Sequence, residues 1–170
     1  MKRKIMNKLF AIATVILPTY NMIKATNNVK GFFAKRAYNK ISNKVNWGRD
    51  IRISGENFQI GENSSVGTRA RIQTPLIIGN DVMMGANVKI FRENHKTDRT
   101  DIPMNCQGMT HAELLTIGND VWICDSVIIT PGCKNIGSGS ILAAGAVITK
   151  DIGEYEIWGG NPARLVGKRK

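Results

Sequence analysis

From Ile117 to Ile152 the chain repeats one pattern every six residues: IGNDVW, ICDSVI, ITPGCK and, after one extra residue at Asn135, IGSGSI, LAAGAV and ITKDIG. An aliphatic residue opens each hexad, at Ile117, Ile123, Ile129, Ile136, Leu142 and Ile148. A small or β-branched residue follows four places later, at Val121, Val127, Cys133, Ser140, Ala146 and Ile152. A helix repeats at about 3.6 residues and a strand at 2, so a sustained period of six fits neither alone. It fits a parallel β-helix, in which each hexad makes one short face and three faces close a triangular coil. The opening aliphatics then stack into ladders inside the prism, and the fourth position faces a crowded inner site.

The same period runs upstream, through IGENSS, VGTRAR and the start of IQTPLI, and through IGNDVM and MGANVK as far as Lys89. IGND occurs twice, at Ile78–Asp81 and Ile117–Asp120, which supports true internal repetition. The pattern frays toward Ile51 and Ile53, as a terminal coil would, and Pro75 suits a corner. Between Phe91 and Thr116 it stops, then resumes in register. Long excursions inside a compact fold usually carry function. This one holds both histidines, His95 and His111, with Glu93, Asn94, Asp98, Arg99 and Asp101.

Charge divides the 170-residue chain in two. Residues 1–49 hold eleven Lys and Arg and no acid, whereas residues 50–170 hold thirteen of each sign. The net charge of +11 therefore sits in the N-terminal segment. Residues 1–45 read as a basic helical segment ahead of a β-helix domain over 46–170. The apolar run after Lys8 is too short to span a bilayer. A signal peptide is disfavoured by the lack of a small-residue cleavage site after Pro18. Two readings stay open: helices packed on the β-helix or a neighbouring subunit, or an interfacial segment held on anionic lipid. Val29, Phe32, Phe33, Ala37 and Ile41 follow helical spacing among Lys30, Lys35, Arg36 and Lys40. Nucleic acid is not expected, because no recognition motif accompanies the charge. Three cysteines, Cys106, Cys124 and Cys133, form no disulfide framework and suit a reduced, cytoplasmic setting. The last two read as core fillers.

IGNDVWI, the Pro131–Gly132 pair, AAGAVITKDI and GGNPARLV together resemble the hexapeptide-repeat acyltransferases, in particular the galactoside, maltose and polysaccharide O-acetyltransferases. The resemblance spans roughly residues 50 to 168. It implies a left-handed β-helix, although most parallel crossovers are right-handed. It also implies a homotrimer with sites between subunits, and acetyl-CoA as co-substrate with no metal. The acceptor it implies is a sugar hydroxyl, in a surface polysaccharide or lipid-linked glycan. The protein is then expected in the cytoplasm, with contact at the inner membrane face through residues 1–45 as an option.

The stretch Asp81–His95 resembles the segment that delivers the catalytic histidine in galactoside acetyltransferases, with Asn87 eight residues before it. By that resemblance His95 is the general base, since a neutral imidazole can take the proton of an attacking hydroxyl. Asp98 or Glu93 could orient its ring, as could a backbone carbonyl, and Asn87, Asn94 and Glu93 could bind the sugar. The bland alternative for both asparagines is turn chemistry. His111 has no counterpart and reads as a surface residue. No Ser or Cys lies in a nucleophile motif, which favours direct transfer with the oxyanion met by a backbone N–H. The cofactor track carried over by motif is Trp122, Asp125, Ala143, Ala144, Thr149, Lys150 and Arg164, with the two cations on CoA phosphates. Three positions depart from the pattern. Cys124 and Ala143 replace glycines, and Asp125 stands where galactoside enzymes carry serine.

Three other functions compete. An antibiotic-type xenobiotic acetyltransferase shares the architecture, and so does a catalytically silent trimeric scaffold. A γ-type carbonic anhydrase would need three zinc-binding histidines, and the chain has two.

Overall fold

The computed structural model describes residues 2–19 and 22–170; Met1, which opens the basic N-terminal run, lies outside them. From Lys40 onward the chain winds as a parallel β-solenoid of three faces, each hexad supplying one short strand and one corner. Face one stacks Lys40–Ile41, Phe58–Ile60, Leu76–Ile78, Leu115–Ile117 and Asn135–Ile136. Face two begins with Asn46–Trp47 paired to Ser65–Val66 and continues through Met83–Met84, Trp122–Ile123, Ile141–Leu142 and Glu156–Gly160. Face three stacks Arg52–Ser54, Arg71–Gln73, Lys89–Ile90, Ile128–Ile129 and Val147–Ile148. The first coil therefore starts at Lys40, inside the stretch read as helical.

Strands this short cannot stand alone, and the ladders inside the prism hold them. Ile41, Ile60, Ile78, Ile117 and Ile136 stack in register on face one. Ile53, Ile72, Ile90, Ile129 and Ile148 do the same on face three. The fourth-place residues Val121, Val127, Cys133, Ser140 and Ala146 are fully buried, as the period required. Each buried aliphatic contributes roughly 1.5–3 kcal/mol relative to exposure, so the stack outweighs what any two-residue strand could gain by pairing.

Corners limit composition in a different way. At two of the three edges the turn residue adopts a left-handed backbone, for example Asn63, Asp81 and Asp120 at one and Asp50, Arg69, Asn87 and Ser126 at the other. Asn and Asp tolerate that region best among residues with a Cβ. At Gly67 the coil above comes so close that a Cβ would run into the Gly85 carbonyl oxygen. Side chains staple coil to coil at the first of these edges. Asn80 Oδ1 accepts from Glu62 N, Asn119 Oδ1 from Asn80 N, and Ser138 Oγ from Asn119 N, at 2.8, 2.8 and 3.1 Å.

Two helices, α1 (Lys2–Ile16) and α2 (Lys24–Ala37), cap the N-terminal end of the prism. Phe10 packs edge-on against Tyr38 and Trp47, with ring centroids 5.7 and 5.0 Å apart. Thr14 O accepts from Asp50 N at 2.9 Å, tying α1 to the first coil. The buried face of α2 is Lys30, Ala34 and Ala37, whereas Val29 and Phe32 are exposed. Of the residues read at helical spacing, Ala37 is buried and Phe33 and Ile41 pack against the core, Ile41 from the first strand, while Val29 and Phe32 stay outside and Lys30 turns inward to backbone carbonyls. On its outer side α1 exposes Ile5, Ile12, Val15 and Ile16. No described helix is long and apolar enough to cross a membrane. At the other end, Glu156–Gly160 and Ala163–Lys168 form an antiparallel hairpin that closes the core, with Trp158 stacked on Leu142.

Candidate active site

The excursion leaves face three after Ile90 and returns to face one at Leu115, which stacks on Leu76 in unbroken register. Its stem is a short self-paired ribbon. Thr110 N donates to Asn94 O at 2.7 Å, Lys96 N to Gly108 O at 3.0 Å, and His95 faces Met109. Asn94 serves this ribbon, its Oδ1 accepting from His95 N and its own N–H bonding Thr110 Oγ1. Beyond it, Gln107 binds Arg99 and Ile102 carbonyls, and Arg99 pairs with Asp101.

His95 sits on the exposed flank of the ribbon, and no hydrogen bond joins its ring to Asp98, Glu93 or any other described residue. The structure thus places Asp98 three residues along the loop without engaging it as an orienting partner. Glu93 is half-buried at the base, where its N–H lies 3.4 Å from Gln73 Oε1. His111 is exposed on the returning segment of the loop. Asn87 stands at the edge between faces two and three with φ of 60°, and its Oδ1 accepts from Arg69 Nε at 2.6 Å. Turn chemistry therefore accounts for its residue type, and the ring-bearing loop departs from the opposite edge of face three.

One residue that the sequence pattern concealed holds the loop in place. Arg92 is fully buried, with Nε donating to Glu113 O at 2.9 Å and Nη1 to Cys133 O at 2.8 Å. Its N–H reaches Gln73 Oε1 at 2.8 Å, so the side chain ties both ends of the excursion to the coil. Nη2 is left without a partner among the described residues, and burial pulls the guanidinium below its usual range. Glu113 and Lys134 bridge at 2.5 Å above it, which keeps the Glu113 carboxyl below the ordinary carboxylate range. The signal in the sequence was an arginine at the second position of the break that begins with Phe91.

The residues expected to line a cofactor track fall on two edges. Trp122, 47% exposed, lies on the outside of face two beside Met83 and Ile141. Asp125, Ala143 and Ala144 follow at the edge between faces two and three. Asp125 Oδ1 accepts from Ala86 N at 2.9 Å, so its carboxylate is a corner staple of the coil below. Cys124 is half-buried in that corner, and burial raises its thiol pKa. Ala143 lies against Gly159, where an added Cβ would sit 3.3 Å away, and Gly159 pairs with Arg164. Thr149 and Lys150 are exposed one face further on, with Lys150 Nζ 5.1 Å from the Trp158 ring centre. No described residues form a cluster of three or more groups able to hold a metal ion.

Three known proteins match this chain informatively. Galactoside O-acetyltransferase of Escherichia coli K12 is 32% identical over 114 residues, covering 66% of this chain and 54% of that protein. The structure of a maltose O-acetyltransferase from Clostridium difficile 630 superposes with a TM-score of 0.76 at 28% identity, over 99% of this chain and 87% of that one. A galactoside acetyltransferase in complex with coenzyme A superposes with a TM-score of 0.69 at 25% identity, over 98% of this chain and 80% of that one. No family model matches the chain. It spans about half the length of the curated relatives it matches.

Proposed function

The chain belongs to the hexapeptide-repeat acetyltransferase family of left-handed β-helices, and from that premise we propose that it moves an acetyl group from acetyl-CoA to a sugar hydroxyl. The observation that carries the proposal is the exposed His95 ring, unpaired among the described residues, on a loop rooted in the coil by Arg92. Neutral His95 takes the hydroxyl proton as the oxygen attacks the thioester carbonyl. The oxyanion collapses, the C–S bond breaks, and the imidazolium returns the proton to the departing CoA thiolate. A backbone N–H at a coil edge supplies the donor that stabilises the oxyanion.

Trp122, Asp125, Ala143 and Ala144 stand on one edge and Thr149 and Lys150 on the next, and a long cofactor laid between two copies of the chain could touch both sets. This supports a trimer with shared sites. Lys150 and Arg164 then meet phosphate groups. Asp98 remains the candidate to turn onto the imidazolium once substrate is bound, since loop hydrogen bonds often tighten only in the complex.

Calorimetric binding of acetyl-CoA to the wild type and to His95→Ala, alongside transfer to sugar and antibiotic acceptors, tests the reading. Transfer should fall at least about a hundredfold in His95→Ala, with acetyl-CoA affinity kept. Absence of acetyl-CoA binding would sink the enzymatic reading and leave a scaffold. Transfer to antibiotics alone would point to the xenobiotic type.

A further inference from the structure

On the outside of face three, Arg52, Arg71 and Lys89 stack in register on successive rungs. Neighbouring strands lie about 4.8 Å apart, and like charges directly opposite one another destabilise a sheet. Arg69 and Arg49 flank the same rungs at the adjoining edge, with Arg49 Nη2 on Val15 O at 3.1 Å. The carboxylate among them is Asp50, 2.6 Å from Arg71 and 3.8 Å from Arg52. Lys89 is exposed and makes no ion pair among the described residues. Five cations thus face one carboxylate, an excess of positive charge beyond what Asp50 can pair.

The position of this column matters as much as its charge. Above Lys89 it turns apolar, at Ile128 and Val147. The cations stop at the rung from which the His95 loop departs, and Asn87 closes the other side. On the acetyl-transfer reading the cofactor phosphates are met elsewhere, since Thr149 and Lys150 follow the last strand of face three and Arg164 lies in the C-terminal hairpin. A neutral sugar would need hydrogen-bonding amides and an aromatic platform, not a ladder of guanidinium and ammonium groups.

Resting on the acetyl-transfer reading, we propose that this cationic column is the acceptor subsite and that the acceptor is an anionic glycan, bearing carboxylate or phosphate groups. Its charges lie along Lys89, Arg71 and Arg52, and its hydroxyl is offered to the His95 loop. Arg71 is held flat by Asp50, so the exposed Lys89 and Arg52 make the adjustable contacts.

The test is calorimetric titration of the full chain, without acetyl-CoA, with three oligosaccharides of equal length: a galacturonate oligomer, a phosphorylated galactose oligomer and the neutral galactose oligomer. At least one anionic ligand should bind about tenfold or more tightly than the neutral one, and the tighter of the two names the anion. Lys89→Glu should lower that affinity at least about tenfold, with acetyl-CoA affinity kept in the same samples. Should Lys89→Glu fail to fold, Arg52→Glu on the first rung reads the same quantity. Equal affinity for neutral and anionic ligands, or an unchanged affinity in these variants, overturns the proposal. A chain that binds the anion yet neither binds acetyl-CoA nor transfers its acetyl group to any acceptor would instead defeat the acetyl-transfer reading.

Discussion

Lys30 Nζ donates to the carbonyls of Pro18, Gly48 and Trp47 at 2.8, 2.9 and 3.3 Å, joining the helix linker, α2 and the first coil at a single atom. The cation has carbonyl dipoles around it but no carboxylate, and burial dominates: its pKa falls from 10.5 to about 8, with the nearby Arg49 charge pushing the same way. Between those two values the unfolded chain still holds the proton that the folded chain has released. Stability therefore rises with pH through the window from about 8 to 10.5. Melting of the wild type measured beside Lys30→Met should show the wild type gaining on the variant as pH climbs through that range. A constant gap would mean that the carbonyls hold the amine at its ordinary pKa. The variant itself should be less stable at every pH, since three buried carbonyls lose a donor at about 1–3 kcal/mol for an unsatisfied group.

The inserted loop is the element on which the site depends, and Arg92 is its root. Replacing Arg92 with Met removes donors from Glu113 O and Cys133 O, but it also removes a buried charge with an orphaned Nη2. These effects oppose each other, and replacing buried charge by an apolar side chain is often close to neutral. Global stability of Arg92→Met should change by no more than about 2 kcal/mol, while amide exchange at Lys96 and Thr110 accelerates and transfer slows more than acetyl-CoA binding weakens. Unchanged exchange at those amides would show that the ribbon stands without its root. The coils around this loop were legible because Ile78, Ile117 and Ile136 must stack to be buried, which leaves a period in the sequence. Inside the loop the local pairing of Asn94 with Thr110 leaves none. Likewise Lys30 reads as one more charge on a basic face, since backbone carbonyls that capture a cation have no side-chain signature. Asn87 shows the same ambiguity from the other side: its residue type is dictated by a left-handed corner whether or not it also touches substrate.

At the scale of the molecule, face two presents an outward column of Met83, Trp122, Ile141 and Ile157 in register, continued toward exposed Leu165 and Val166. Met83 is 54% and Trp122 47% exposed, and an apolar column of this kind gains by meeting another surface. In the proposed trimer a second copy of the chain would cover this column and bring a neighbouring edge, with its Thr149 and Lys150, toward Trp122 and Asp125. Assembly and cofactor binding are then one property, and a substitution that blocks the first should abolish the second. Met83→Arg adds a charge to the column without touching the inward ladder, where Met84 stacks on Ile123. Sedimentation should find the wild type as a trimer and Met83→Arg as a folded monomer, with acetyl-CoA affinity lost alongside assembly. A monomeric wild type that binds acetyl-CoA at one site would place the whole cofactor track on a single chain. The column would then need a different occupant.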